Sequence, residues 1–278
     1  MKRRHFLGVT AVGAAAEILP YRSPPAVASS RGWRPDGVGS IARIGVITPA
    51  FDPVPESEAW AMAPDGVSIH ATRVRRDRRE DPRLFADPSR IDSAVELLAA
   101  VKPHSIIYAF ASSSYVLGVD GDDALRIRLE RVAGGIPVIL AAAAASAALR
   151  AVNARRVAIV HPPWFSEETN DKGKAYFQGQ GFAVLSCARG LPLRDFQEVP
   201  PAEVHGWVAT AVPKQADAVL IAGNGLRAIG VIDALEETLR RPVLTANQVT
   251  FWAALQRLEK PPQVTEFGQL FRAARTMR

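Results

Sequence analysis

Eight short apolar runs, separated by stretches of helical periodicity, constrain this chain more than any other feature. They are RIGVIT (43–48), VSIHATRV (67–74), SIIYAFA (105–111), PVILA (137–141), RVAIVH (156–161), FAVLSC (182–187), AVLIA (218–222) and PVLT (242–245). Runs this short, rich in Val and Ile, read as strands. Between them Ile91, Val95 and Leu98 recur at helical spacing, and Ser166 followed by Glu167 and Glu168 marks a helix start where the helix dipole favours acids. Alternating strands and helices give parallel sheets, because each parallel neighbour needs a crossover and the crossover helices cover the sheet faces. Eight strands suit two four-stranded parallel sheets, an α/β architecture.

Two segments echo each other 113 residues apart: SIIYAFASSSYVLG and AVLIAGNGLRAIG each run an apolar strand into a small polar tip and then a helix. Ligands of open parallel sheets bind outside the carboxyl ends of the strands. Each tip therefore lies where a site would be, and in a two-lobed protein the tips face each other across a cleft. Ser112, Ser113 and Ser114 supply hydroxyl donors at the first; Gly223, Asn224 and Gly225 supply close backbone approach and a side-chain amide at the second. With the unpartnered amides of a first helical turn, such groups suit a carboxylate. Local sequence leaves a plainer alternative open, in which the serines cap the following helix and Gly-Asn-Gly makes a turn.

The 278 residues, 48% hydrophobic and 22% charged, have an ordinary globular balance and are long enough for two small domains. Half of the net charge of +6 comes from Lys2, Arg3, Arg4 and Arg22, set against Glu17, within the first 28 residues. The remainder gives no reason to expect nucleic acid. A basic cluster, Arg73, Arg75, Arg76, Arg78 and Arg79, broken by Asp77, reads either as an anion-binding surface or as a solvated loop after a strand.

The beginning, MKRRHFLGVTAVGAAAEILP, joins a basic start to a short apolar stretch, with a small-residue cleavage pattern at Ala26-Val27-Ala28. Its arginine pair resembles a twin-arginine signal. Residues 1–28 are expected to address the export machinery, with a linker over 29–40 and a mature protein that is periplasmic or secreted. The stretch from Phe6 to Pro20 is too short to favour a membrane span, so no stable insertion is expected. Cys187 is the single cysteine, which excludes an intramolecular disulfide, and its apolar surroundings read as a strand interior. No cysteine pair or histidine spacing suggests a metal site. GNG followed by Leu-Arg does not match the dinucleotide-binding fingerprint.

The two tips, the segment PVILAAAAASAALRAVNARRVAIVHPPW and the ending GNGLRAIGVIDALEETLRRPVLTANQVTFW resemble the aspartate/glutamate racemase superfamily, nearest its arylmalonate decarboxylase and maleate cis-trans isomerase branch. The resemblance covers about residues 41–260. It implies two pseudo-symmetric lobes, each a four-stranded parallel sheet flanked by helices, with the ligand cleft between them. Lobe 1 would comprise 41–143 plus 244–278, and lobe 2 144–243. It also implies a small carboxylate ligand, no cofactor, and one or two cysteine thiols at the tips that move a proton beside a carboxylate.

The family frame places those thiols at Phe110 and Gly223, so neither tip carries one. The family's Thr-Ser pair becomes Ala111-Ser112, Ser114 matches a family serine, and the family's tyrosine after the fifth strand falls near Trp164, with Tyr115 beside the serines. Among residues that could replace a thiol, His161 ends the fifth strand and has an ordinary pKa suited to proton transfer near neutral pH. Tyr115 and Glu56 are weaker candidates: a phenol needs strong perturbation, and PAFDPVPESE reads more simply as a loop entering a helix. Two expectations follow. One is a cofactor-independent decarboxylase or isomerase of small carboxylic acids with a non-thiol proton donor. The other is an exported carboxylate-binding protein without catalysis. A homo-oligomer stays open.

Overall fold

The computed structural model describes residues 37–190 and 199–273. The expected export signal and the linker as far as residue 36 lie outside the described residues. All eight apolar runs are strands: β1 (Ala42–Pro49), β2 (Val67–Val74), β3 (Ser105–Tyr108), β4 (Val138–Leu140), β5 (Arg156–Val160), β6 (Ala183–Ala188), β7 (Ala218–Ile221) and β8 (Val243–Thr245). They form two four-stranded sheets ordered β2-β1-β3-β4 and β6-β5-β7-β8, with every pairing parallel. The two orders are the same pattern, so the halves of the chain are built alike.

The helices are α1 (Val54–Met62), α2 (Pro88–Ala99), α3 (Ala111–Val132), α4 (Ala141–Ala151), α5 (Glu167–Gly179), α6 (Pro201–Ala211), α7 (Ile232–Leu239), α8 (Ala246–Leu255) and α9 (Gln269–Ala273). α2 buries Ile91, Val95 and Leu98, as their spacing requires, and α5 is capped by the Ser166 hydroxyl accepting from the Thr169 amide. β3 stops at Tyr108, three residues before the end of its apolar run, because α3 begins at Ala111. The serine tip is therefore a first helical turn.

α4, which follows the first sheet, packs against α8, which follows the second, and α8 also lies on β3, β4 and α1. The alanines of α4 leave little side chain between the helices; Ala141, Ala144, Ala145 and Ala148 are all buried. One apolar cluster runs through both sheets, from Ile44 and Val46 to Val219 and Leu220. A second, around Phe85, Ile91, Tyr108 and Leu129, sits on the other face of the first sheet. No helix among the described residues is long and apolar enough to cross a membrane.

Candidate functional site

A cleft of about 540 Å³ opens at the carboxyl ends of the strands of both sheets. Ser112 at the start of α3, Gly223, Asn224 and Gly225 after β7, Trp164 after β5, and Pro49 and Asp52 after β1 all line it. The tips are joined by side chains. Asn224 Oδ1 accepts from the Ala111 amide at 3.1 Å, and its Nδ2 donates to Asn247 Oδ1 at 2.9 Å. Asn247 Nδ2 in turn donates to Glu58 Oε2 at 2.7 Å and to the Asn224 carbonyl at 2.8 Å. Glu58 Oε1 accepts from the amides of Ala228 and Ile229. Asn247 sits in the first turn of α8, whose start is fixed by a capping box in which Thr245 and Gln248 exchange side-chain and backbone bonds. Burial raises the Glu58 carboxyl to about 7, against the three donors that lower it.

Basic side chains gather along one wall. Arg76, Arg78, Arg79, Arg83 and Lys172 line the cleft, facing the acids Asp52, Glu80, Asp81 and Glu168. Three of those acids are held by basic groups: Glu80 by Arg90, Asp81 by Arg83 and Glu168 by Lys172. The wall is left positive. Arg76 lies 4.7 Å from the centre of the Phe110 ring, and one of its terminal nitrogens donates to the Glu80 carbonyl. Its Nε is buried with no hydrogen-bond partner. A buried cationic donor without an acceptor is costly. Of the basic cluster, Arg76, Arg78 and Arg79 line the cleft while Arg75, Arg78 and Arg79 are exposed, and Arg73 pairs with Glu56 and donates to the Asp52 carbonyl.

Of the expected site residues, the structure brings together Ser112, Trp164, Gly223, Asn224 and Gly225. Ser113 is buried and bonds the Tyr108 hydroxyl and the Phe110 carbonyl. Ser114, also buried, lies beside Asp122, and Tyr115 is buried against His161, Phe165, Tyr176 and Phe177. These three serve packing. His161 is fully buried behind Phe165, its Nδ1 2.8 Å from Asn170 Oδ1 and 3.4 Å from Cys187 Sγ, and burial lowers its pKa to about 4. The strand end does carry it, but it stands behind the cleft-lining Phe165 and is not itself in the lining. Cys187 lies within β6, as its surroundings predict, and is half-buried because β6 is an edge strand; desolvation pushes its thiol up to about 12.

Phe110 packs on Phe85 with ring centres 4.6 Å apart and planes tilted by 48°, and Gly223 has φ +89°. A Cβ at Gly223 would stand 2.2 Å from Pro162 Cγ. Sequence reasoning missed Asp52 and the Glu58–Asn247 pair, and named Arg76 only as one of a basic cluster. Asp52 lies three residues after the end of the first strand, on the carboxyl side of the sheet, but nothing local in PAFDPVP signals its burial.

The chain matches the arylmalonate decarboxylase family from residue 44 to residue 271. It is 26% identical over 249 residues to a maleate isomerase of Pseudomonas putida, covering 84% of this chain and 98% of that protein. Among solved structures, a Nocardia farcinica maleate cis-trans isomerase mutant with a covalently bound succinylcysteine intermediate superposes with a TM-score of 0.76 at 25% identity, over 83% of this chain and 98% of the other. Unliganded arylmalonate decarboxylase gives 0.72 at 19% identity, over 83% and 99%, a likeness of fold. The matched span begins in β1 and ends in α9, taking in both sheets and every cleft-lining element, so this chain belongs to the arylmalonate decarboxylase family.

Proposed function

We propose that the cleft binds a small dicarboxylate and that the protein acts at the carbon beside one carboxylate without a cofactor. The observation that carries this reading is Arg76, a guanidinium in the cleft wall whose buried Nε has no partner. The Arg76 guanidinium lines the cleft and can give an anionic oxygen a charge-assisted hydrogen bond. Ser112 and the Asn224–Gly225 edge across the cleft suit the second carboxylate. The family and the name of the Pseudomonas putida relative, maleate isomerase, agree with a short diacid. In this reading the N-terminal pattern sends the protein through twin-arginine export, to work in the periplasm or outside the cell.

The test is calorimetric titration of the full chain with maleate and methylmalonate. A hydrogen bond to a charged group contributes about 1.5–3 kcal/mol, so Arg76→Ala is expected to weaken binding about tenfold or more. Unchanged affinity would place the anion elsewhere. A second reading, a carboxylate-binding protein without catalysis, is favoured by the residues at the family's thiol positions: an aromatic ring at 110, and at 223 a glycine with Pro162 against it. Binding of the diacids without any turnover is its expected outcome.

A further inference from the structure

Asp52 is the cleft acid that no basic side chain holds by a hydrogen bond. Its Oδ1 accepts from the Val54 amide at 3.0 Å, while its carbonyl is fixed by Thr48 Oγ1 and Arg73. Its other oxygen, Oδ2, is turned toward Gly225, where a Cβ would meet it at 2.9 Å and Trp164 Cζ2 at 3.5 Å. The carboxyl is thus anchored by one oxygen and presents the second to the tip after β7. It is 6% exposed and lines the cleft.

We propose that Asp52 is the proton donor and acceptor of this cleft, delivering a proton to substrate carbon from beside Gly225. The assignment rests on the carboxylate reading above and supplies the acid that Phe110 and Gly223 do not. With a monosubstituted malonate bound, the bond between the substituted carbon and one carboxylate breaks and carbon dioxide leaves. The electron pair passes into the remaining carboxylate as an enediolate. Asp52 gives its carboxyl proton to that carbon, producing the monoacid and an Asp52 carboxylate, which water reprotonates.

The surroundings suit both halves of the cycle. Burial raises Asp52 to about 6, opposed by the Val54 amide and by the charges of Arg73 and Arg78. Glu58 on α1 is the other acid facing it, and Gly225 and Trp164 bring no charge.

The experiment incubates the full chain with methylmalonate or phenylmalonate in deuterated water across about pH 5 to 8. Carbon dioxide release and deuterium at the product carbon are followed by NMR, and binding by calorimetry on the same samples. Turnover is expected to fall as pH rises through about 6. Asp52→Asn is expected to bind both probes and to lose turnover about 100-fold or more, and Asp52→Glu to recover part of it. Asp52→Asn turning over at the wild-type rate overturns the assignment, as does wild-type binding without turnover at every pH. If the wild-type chain binds neither probe, the carboxylate reading falls first and takes Asp52 with it.

Discussion

Within a run of three serines, one residue faces ligand space and two do not. Ser112 is half-buried in the cleft wall, whereas the Ser113 hydroxyl closes bonds to Tyr108 and the Phe110 carbonyl. Ser113→Ala is therefore expected to lower stability by about 1–3 kcal/mol, since it strands buried groups. Ser112→Ala should leave the denaturation midpoint unchanged and weaken diacid binding. Chemical denaturation paired with titration separates the two. Gly223 makes a sharper case. Its φ of +89° and the Pro162 ring both oppose a side chain. Gly223→Cys is expected to cost about 2 kcal/mol or more in a denaturant melt, and the thiol is expected to add nothing to the turnover of the wild-type chain. Faster decarboxylation than wild type without loss of stability would show that Pro162 moves aside freely.

Helix α3 shows how an element's placement depends on one break. Its backbone departs from helical geometry at Gly118, with φ 72° and ψ 179°, so the turn carrying the serines and Tyr115 is angled from the segment carrying Leu125 and Leu129. No neighbouring atom lies within 4 Å of a Cβ at this glycine. Gly118→Ala is thus expected to destabilise by about 1–3 kcal/mol through backbone strain alone, read as a lowered thermal midpoint. At this scale the sequence was most legible. All eight strands and the α5 start appear where apolar periodicity and capping residues put them, because those signals are local. Burial of charge is not local. The run from Arg73 to Arg79 looks the same whether it is solvated or folded over a cleft, and His161 at a strand end looks the same whether its ring turns toward ligand or toward Phe165. The kink at Gly118 was equally silent, since a glycine inside a helical pattern does not announce its φ.

Across the whole molecule, buried polar groups add to the apolar packing that ties the halves together, and one of them titrates. Glu58 is an ordinary carboxylic acid in the unfolded chain, near 4.5, and is raised to about 7 by burial when folded. The folded state thus holds this proton more tightly. The group's stabilising contribution is complete below about pH 4.5 and is lost as pH climbs to 7, a change of about 3 kcal/mol for a single group. Denaturation midpoints measured at pH 5 and pH 7 should differ accordingly, and Glu58→Gln should flatten that slope. It should also lower stability at both values, because its amide would face the Asn247 amide, donor against donor. A slope unchanged in Glu58→Gln would assign it to another group.

The chain from Ala111 through Asn224 and Asn247 to Glu58 has a consequence for selectivity. Because Asn224 bonds the first tip with one end of its side-chain amide and α8 with the other, its length acts as a gauge block that fixes the jaw width of the molecule. Asn224→Gln lengthens the block by one methylene. Comparing the malonate, succinate and glutarate affinities of the two proteins would then show whether the preferred diacid lengthens in step.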